Sequence, residues 1–299
     1  MCQSWEMGLV TGSRNTAQRR AADNHDLGLR DDLQMIGRRR ALAWLGSTSL
    51  ATLLGACGDD PFFGHAEADV IAAGADGAQC VAHPRETAGP YPADGSNRAH
   101  GTLANVLSES GIVRADMRPS LNPAQAVAEG TPLELTLTLV DVTRGCAPLP
   151  GHAIYLWHCD AAGCYSIYDL PEASYLRAVG VTGADGGVTF ATIFPGCYRG
   201  RFPHMHFEVY PSIEKATSYE NRMLTSQLAM PESLCHAVYD GAPVYQQSIA
   251  NFADSPLARD GIFANNTPRQ LAAQTPELAG DVVAGYRGRV VIGLKGLSG

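Results

Sequence analysis

The sequence predicts an all-β protein: an antiparallel β-sandwich core with extensive loops and a few short helices. Glycine (32) and proline (18) are abundant among the 299 residues, which favours many turns between short strands over long helices. Hydrophobic residues make up 45% of the chain, enough to bury a core. Several short apolar segments are separated by turns at close intervals, as in an antiparallel sandwich.

The clearest strand is Leu133–Val140, where Leu133, Leu135, Leu137 and Leu139 fall on one face. This period of two predicts a strand that is buried on one side. The glycine-rich run 183–187 predicts a hairpin turn. Residues 220–273 are less regular, and we expect short helices and loops there. Further strands are predicted at 153–158, 188–194, 204–210 and 289–294.

Residues 1–57 are predicted to be an N-terminal extension and export signal. Three arginines (38–40) precede a moderately apolar stretch at 41–56, which is short for a bilayer span and typical of a signal peptide. The run 54–57, Leu-Gly-Ala-Cys, resembles the lipobox of bacterial lipoproteins, in which the cysteine is lipidated. The arginines indicate twin-arginine export. We therefore expect a periplasmic or cell-surface lipoprotein whose membrane contact is a lipid on Cys57; Met35 is an alternative start, and an ordinary buried helix is the alternative to the signal.

The remainder divides into a predicted flexible linker at 58–79 and a predicted catalytic domain at 80–299. Residues 58–299 carry 15 basic and 25 acidic residues, and this acidic balance argues against nucleic acid as a partner. An oxidising compartment favours at least one disulfide. No C-x-x-C pair or zinc-finger spacing occurs, so a zinc site is not expected. The sequence does not choose among the pairings of the six domain cysteines, Cys80, Cys146, Cys159, Cys164, Cys197 and Cys235.

A candidate metal site begins with His204-Met205-His206, inside a predicted strand. Alternation along a strand places both imidazoles on one face and Met205 on the other. Two neutral histidines presented together form half of a metal site. By itself, however, an H-x-H pattern in a strand more often reflects packing.

Two longer segments, 157–169 and 192–206, resemble the core of the intradiol ring-cleavage dioxygenases, the family of catechol 1,2-dioxygenase and protocatechuate 3,4-dioxygenase. The shared pattern is a tyrosine after a turn glycine, a second tyrosine after Thr-Ile-x-Pro, an arginine three residues before the first histidine, and the H-x-H strand. The run Glu86-Thr87-Ala88-Gly89-Pro90-Tyr91 is similar to the family's Thr-Glu-Gly-Pro-Tyr, although the order here is Glu-Thr-Ala. The resemblance covers roughly residues 80–240.

The resemblance implies a non-haem Fe(III) ion whose ligands are Tyr165, Tyr198, His204 and His206. Two phenolates and a hydroxide balance the charge of a ferric ion, so the site can lie in a dry pocket. The implied partners are a catecholic substrate and O2, and the implied product is a cis,cis-muconate. In the family, the tyrosine matching Tyr198 dissociates when substrate binds, and the one matching Tyr165 stays bound.

Two further residues receive roles from the same resemblance. Arg201 matches the family arginine and would stabilise negative charge that develops on the substrate. Gln227 resembles the family's glutamine that lies behind the metal ligands. Cys164 and Cys197 each precede a proposed tyrosine ligand, and a disulfide between them would join the two ligand loops.

Two other functions remain open from the sequence. A cupin-like site would use His204, His206 and Glu208, but three ligands at alternate positions span about 13 Å of strand, which leaves Glu208 too far away. The other alternative is an exported, lipid-anchored β-sandwich that binds aromatic compounds without turnover. Neither the particular catechol nor the oligomeric state can be deduced from the sequence.

Overall fold

A computed structural model describes residues 69–74, 77, 79–122 and 126–295. Strands dominate these residues, with short α-helices and single 3-10 turns between them, so the expected β-rich class with few helices is confirmed. The predicted export signal and the lipobox at Cys57 lie outside the described residues. The strands are β1 (Ile71–Ala73), β2 (Gln79–Val81), β3 (Asp94–Ala99), β4 (Thr102–Asn105), β5 (Pro132–Asp141), β6 (Ala147–Pro148), β7 (Ala153–Trp157), β8 (Arg177–Val181), β9 (Gly187–Ile193), β10 (His204–Tyr210), β11 (Leu224–Ala229), β12 (Glu277–Asp281) and β13 (Gly285–Leu294), and the α-helices are α1 (Glu232–Gly241), α2 (Gln246–Ala253) and α3 (Pro268–Gln274).

The first large sheet is built around β5, which is flanked by β13 on one side and by β9 and β6 on the other. The leucines of β5 at 133, 135, 137 and 139 are all buried, as their period predicts. β13 runs parallel to β5, with Val290 opposite Leu137. The prediction of a wholly antiparallel core was therefore wrong for this pair. The chain returns to β5 after the long excursion through α1–α3, and such a crossover allows parallel pairing.

The second large sheet has the order β11-β10-β7-β8, and all of its pairs are antiparallel. One of its two inner strands, β10, is buried along its whole length. In this register His206 lies between Trp157 of β7 and Gln227 of β11. The sheet therefore holds these three side chains at fixed cross-strand positions.

Both faces of this second sheet are covered. Met205 and Phe207 of β10 belong to a hydrophobic cluster that also contains Leu135 and Leu137 of the first sheet. The opposite face carries Tyr155 and Trp157, which pack in a second cluster with residues of the 93–112 segment. The face that bears His204 and His206 is therefore shielded from water, and both imidazoles are buried.

The irregular region 220–273 contains the expected short helices. It also contains β11, which the sequence did not indicate because its residues, Leu-Thr-Ser-Gln-Leu-Ala, show weak alternation and are buried on both faces. Among the described residues, no helix has the length and apolar character needed to cross a membrane.

A disulfide between Cys80 and Cys146 joins β2 to the chain just before β6. Residues 71–73, which the sequence places in the linker, form β1 and pair with β2. The predicted bond between Cys164 and Cys197 is wrong, because Cys197 carries a free, buried thiol. The physical reason is that backbone contacts and a serine hydroxyl, and not a covalent bond, bring the two loops together.

Candidate metal centre

The two histidines of β10 present their Nε2 atoms to each other at 3.0 Å on one face of the strand. Both side chains are buried, at 2% exposure. Met205 points into the hydrophobic core on the other face, as alternation predicts. Burial lowers the pKa of both imidazoles well below the usual value, so both rings are neutral.

The tautomer of His204 follows from its neighbour. Its Nδ1 lies 2.5 Å from the carbonyl oxygen of Phe202, and a carbonyl only accepts hydrogen bonds. Nδ1 therefore carries the proton, and Nε2 presents a lone pair. A histidine whose second nitrogen donates to a carbonyl is the usual arrangement for a metal ligand.

His206 is held by ring packing. The indole of Trp157 stacks on its imidazole with centroids 5.0 Å apart and planes 7° apart. The backbone of Gly89 lies beside the imidazole, so that a Cβ at this position would be 3.2 Å from Cε1. No hydrogen-bond partner for Nδ1 of His206 occurs among the described residues. Packing therefore takes the place of the carbonyl that orients His204.

Tyr198 lies in the irregular segment that follows β9, and its side chain is half-buried. Its hydroxyl lies 3.3 Å from Nε2 of His204 and 3.5 Å from a guanidinium nitrogen of Arg201. Three predicted site residues thus meet at one point. The hydroxyl oxygen can donate a lone pair in the same region as the two imidazoles.

Tyr165 is fully buried next to this group, with its ring 5.8 Å from that of Tyr198 and 6.4 Å from that of His206. Tyr91 stacks on it with ring centroids 4.6 Å apart. The buried hydroxyl has no hydrogen-bond partner among the described residues. Burial raises the pKa of Tyr165 well above its usual value, against the opposing positive charges of Arg201 and Arg177.

The loops that carry Tyr165 and Tyr198 are joined by close backbone contacts and by one hydroxyl. A Cβ at Gly163 (φ +84°) would lie 2.7 Å from the carbonyl oxygen of Cys197. Ser248 of α2 accepts a hydrogen bond from the backbone N–H of Cys197 and donates one to the carbonyl of Ala161, both at 2.8 Å. These contacts hold the loops in the way that the predicted disulfide would have done.

Arg201 lies behind Tyr198 and His204 and is 3% exposed. Its Nε donates to the carboxylate of Asp260 at 3.0 Å, forming a buried ion pair. One of its terminal nitrogens donates to the side-chain oxygen of Gln227 at 2.6 Å. The amide nitrogen of Gln227 in turn donates to the carbonyl of Thr87 at 2.8 Å. Arg201 and Gln227, which were predicted as separate site residues, are therefore in direct contact, and each is held by a further partner.

The donor set fits a hard cation such as Fe(III). Two ligands at about 2.1 Å from one ion and at right angles to each other lie about 3 Å apart, close to the spacing of the two Nε2 atoms. An ion there would also give the unpaired hydroxyl of Tyr165 a partner, and phenolates are hard anionic donors. The residues that would hold it are Tyr165, Tyr198, His204 and His206.

The carboxylate alternative does not fit. Glu208 accepts hydrogen bonds from Tyr210 at 2.6 Å and from Thr225 at 3.0 Å, so its oxygens are engaged away from the histidines. Among the described residues, no group of three or more His, Cys, Asp and Glu side chains is placed to hold a metal ion. The triad of His204, His206 and Glu208 is therefore excluded.

Sequence reasoning missed three residues that support this site: Asp260, Ser248 and Trp157 in its stacking role. Asp260 and Ser248 lie far along the chain, in the region expected to be irregular, and no local pattern marks them. The stacking role of Trp157 also lacks a local signal, because the register that places it beside His206 is a property of the folded sheet. A buried arginine such as Arg201 also calls for an acidic partner, although not for a particular one.

Similarity to known proteins is found in the fold. No family model and no curated relative matches the chain. Among solved structures, the chain is similar to an intradiol ring-cleavage dioxygenase from Tetranychus urticae, with a TM-score of 0.55 and 23% identity over 73% of this chain and 96% of that one. A second dioxygenase structure gives a TM-score of 0.54 and 24% identity over 73% and 96%. Catechol 1,2-dioxygenase from Pseudomonas arvilla C-1 gives 0.41 and 19% over 72% and 63%. The first two show that this chain has the fold of intradiol ring-cleavage dioxygenases.

Proposed function

We propose that this chain is an intradiol ring-cleavage dioxygenase built on a β-sandwich scaffold. It would insert both atoms of O2 into a catecholic ring and open that ring between the two oxygen-bearing carbons to a cis,cis-muconate. The observation that carries the proposal is the convergence of the Tyr198 hydroxyl and the two histidine Nε2 atoms. The unpaired hydroxyl of Tyr165 is buried beside them.

A ferric ion held by Tyr165, Tyr198, His204 and His206 would supply chelation of the catecholate and activation of its ring toward O2. Tyr198 is suited to leave, because its side chain is half-buried and its hydroxyl faces the Arg201 guanidinium. The Tyr198 phenolate oxygen would take the proton of one catechol hydroxyl, and the hydroxide of the charge balance would take the proton of the other and become water. Tyr165 is suited to stay, because it is fully buried and stacked against Tyr91.

Arg201 provides the positive charge near the reacting ring. The ion pair with Asp260 and the hydrogen bond to Gln227 fix the guanidinium plane before substrate arrives. A preoriented donor in a water-poor site stabilises developing negative charge without reorganising. Arg201 is therefore assigned the stabilisation of charge on the substrate, and Gln227 and Asp260 are assigned its orientation.

The test is oxygen uptake by the purified, iron-loaded protein with a panel of catechols. We expect a reddish tyrosinate-to-iron absorption and uptake with at least one catechol. Tyr198→Phe should lower kcat by at least about a hundredfold, while Tyr286→Phe, a buried tyrosine of β13 away from the site, should not. A coloured protein that consumes no oxygen with any catechol would be a binding protein without turnover. A protein that binds no ferric ion would refute the proposal.

We also propose that the protein is exported as a lipoprotein anchored at Cys57. The Cys80–Cys146 disulfide supports an oxidising location, and such a location implies catechols met outside the cytoplasm. Expression in the presence of radiolabelled palmitate tests the anchor. Label should enter the wild-type protein and be absent from Cys57→Ser, and equal labelling of both would refute lipidation at this residue.

A further inference from the structure

Arg177 is a fully buried arginine on β8, opposite Trp157 in the sheet register. Its guanidinium has no carboxylate within 4.0 Å among the described residues, since none of the ion pairs found there includes it. A buried arginine normally has an acidic partner, because an uncompensated charge is costly to bury. The placement of Arg177 therefore calls for an explanation.

Neutral groups accept all of its hydrogen bonds. Nε donates to the hydroxyl of Ser166 at 3.0 Å, and one terminal nitrogen donates to the carbonyl of Ser166 at 3.1 Å. The other terminal nitrogen donates to the carbonyl of Pro92 and to the hydroxyl of Tyr155, both at 3.0 Å. The planar guanidinium also lies over the ring of Tyr168, 5.5 Å from its centroid.

Two of the three acceptor residues adjoin the proposed ligand Tyr165 or the ring that covers it. Ser166 is the residue after Tyr165. Pro92 is the residue after Tyr91, whose ring stacks on that of Tyr165. A single side chain thus fixes Tyr165 through its own backbone and through the aromatic ring that covers it.

The third acceptor residue, Tyr155, connects Arg177 to His206 through stacked rings. Tyr155 stacks on Trp157 with ring centroids 4.7 Å apart, and Trp157 stacks on His206 with centroids 5.0 Å apart. The hydroxyl of Tyr155 also donates to the carbonyl of Pro92 at 2.7 Å. Arg177 therefore holds the far end of a column of three rings that ends at His206.

We propose that Arg177 is a positioning residue that sets the orientation of Tyr165 and His206 from behind the metal centre. This inference rests on the proposed function for its ligand assignments. Arginine is required because its planar fork of five donors reaches three chain segments at once, whereas the ammonium of lysine is a point charge on a flexible stem. The role assigned is orientation, since Arg177 itself does not touch the ligand atoms.

The first test compares Arg177→Lys with Arg114→Lys in the ferric protein. Arg114 is the control, because its guanidinium also bonds inner carbonyls, those of Pro119, Ser174 and Arg177. Its bonds to Arg177 are to the main chain, so Arg114→Lys leaves the Arg177 side chain and its own contacts in place. We expect Arg177→Lys to shift the tyrosinate absorption maximum and to weaken iron affinity by about 10- to 100-fold. Arg114→Lys should lower the melting temperature while leaving the absorption maximum in place. Equal spectra in both variants would overturn the proposal.

The second test needs no metal, so it judges Arg177 separately from the proposed function. The metal-free protein is labelled with 3-fluorotyrosine, and the Tyr165 resonance is assigned by its loss in Tyr165→Phe. We expect Arg177→Lys to move or broaden this fluorine resonance and Arg114→Lys to leave it unchanged. An unchanged Tyr165 resonance in a folded Arg177→Lys protein would refute the positioning role, whether or not the wild-type protein binds iron.

Discussion

The backbone of Gly89 packs against the imidazole of His206. Gly89 has a φ of +69°, and a Cβ on it would lie 3.2 Å from Cε1 of the imidazole. The indole of Trp157 stacks on one face of the His206 imidazole, with the two ring planes nearly parallel. The imidazole therefore has little freedom to move away. The chain just before residue 91 is therefore part of the candidate metal centre, although none of its residues is a proposed ligand.

Gly89→Ala should displace His206 and lower the affinity for ferric iron by about tenfold or more. The measurement is iron content after dialysis against a chelator of known affinity. Gly151→Ala is the matched control, because Gly151 has a similar φ of +75° but no atom within 4 Å of the position that a Cβ would take. Both variants carry the backbone strain of a positive φ, so an equal loss of iron in the two would contradict the contact-based explanation.

Glu86 gives the stability a pH dependence. Burial raises the pKa of Glu86 to about 7 from an ordinary value of 4.5. The folded protein holds the Glu86 proton more tightly than the unfolded chain does. Its contribution to the free energy of unfolding is therefore complete below pH 4.5 and is lost as the pH rises to about 7. By linkage the loss amounts to about 3 kcal/mol in the free energy of unfolding.

Glu86→Gln should remove this loss, because glutamine can still accept the hydrogen bond that Asn266 donates at 2.9 Å. Urea unfolding at pH 5 and at pH 7.5 measures it: the variant should be the more stable protein at the higher pH and lose less stability between the two. Glu109→Gln, at an exposed position, serves as the control. A wild-type curve as flat as that of Glu86→Gln would show that Glu86 is not the titrating group.

Replacing both Cys80 and Cys146 by alanine should lower the free energy of unfolding by about 4 kcal/mol, because the bond closes a long loop. The two residues are 66 positions apart. A reductant should destabilise the wild-type protein more than the double variant, in which the bond that Cys164 makes is still present. Cys235→Ala, which removes a buried free thiol, controls for the loss of side-chain packing. Insensitivity of the wild-type protein to reductant would argue against a stabilising bond.

Ser248→Ala should destabilise the protein by about 1–3 kcal/mol, because it leaves a buried N–H of Cys197 and a buried carbonyl of Ala161 without their shared partner. The measurement is the denaturant midpoint of Ser248→Ala. Ser233→Ala, at an exposed position on α1, is the control. The iron absorption should also shift, since both loops lead to a proposed ligand. A loss no larger than that of Ser233→Ala would mean that Ser248 does not join the loops.

Local patterns were enough to predict the elements that carry the site. The alternating leucines of β5 and the H-x-H pattern of β10 depend only on the two-residue period of a strand, and both are found as predicted. The resemblance in two short segments was enough to predict that Tyr198 lies close to His204, and their side chains are 3.3 Å apart. These relationships involve residues that are close in sequence or that follow from one strand.

Long-range relationships could not be predicted. The parallel pairing of β13 with β5 and the ion pair of Arg201 with Asp260 depend on where the chain returns after α2, which no local period encodes. The bond expected for Cys197 was wrong for a related reason: proximity of two loops was anticipated, but the glycine and serine contacts that achieve it leave no mark in the sequence.

The separation of Asp260 from the four proposed ligands has a consequence for truncated forms of the protein. The ligands lie between residues 165 and 206, whereas the counter-ion of Arg201 is Asp260. A polypeptide that stops before residue 260 would contain all four ligands and still leave a buried guanidinium without its carboxylate. A fragment of this kind should therefore fail as a substitute for the intact chain.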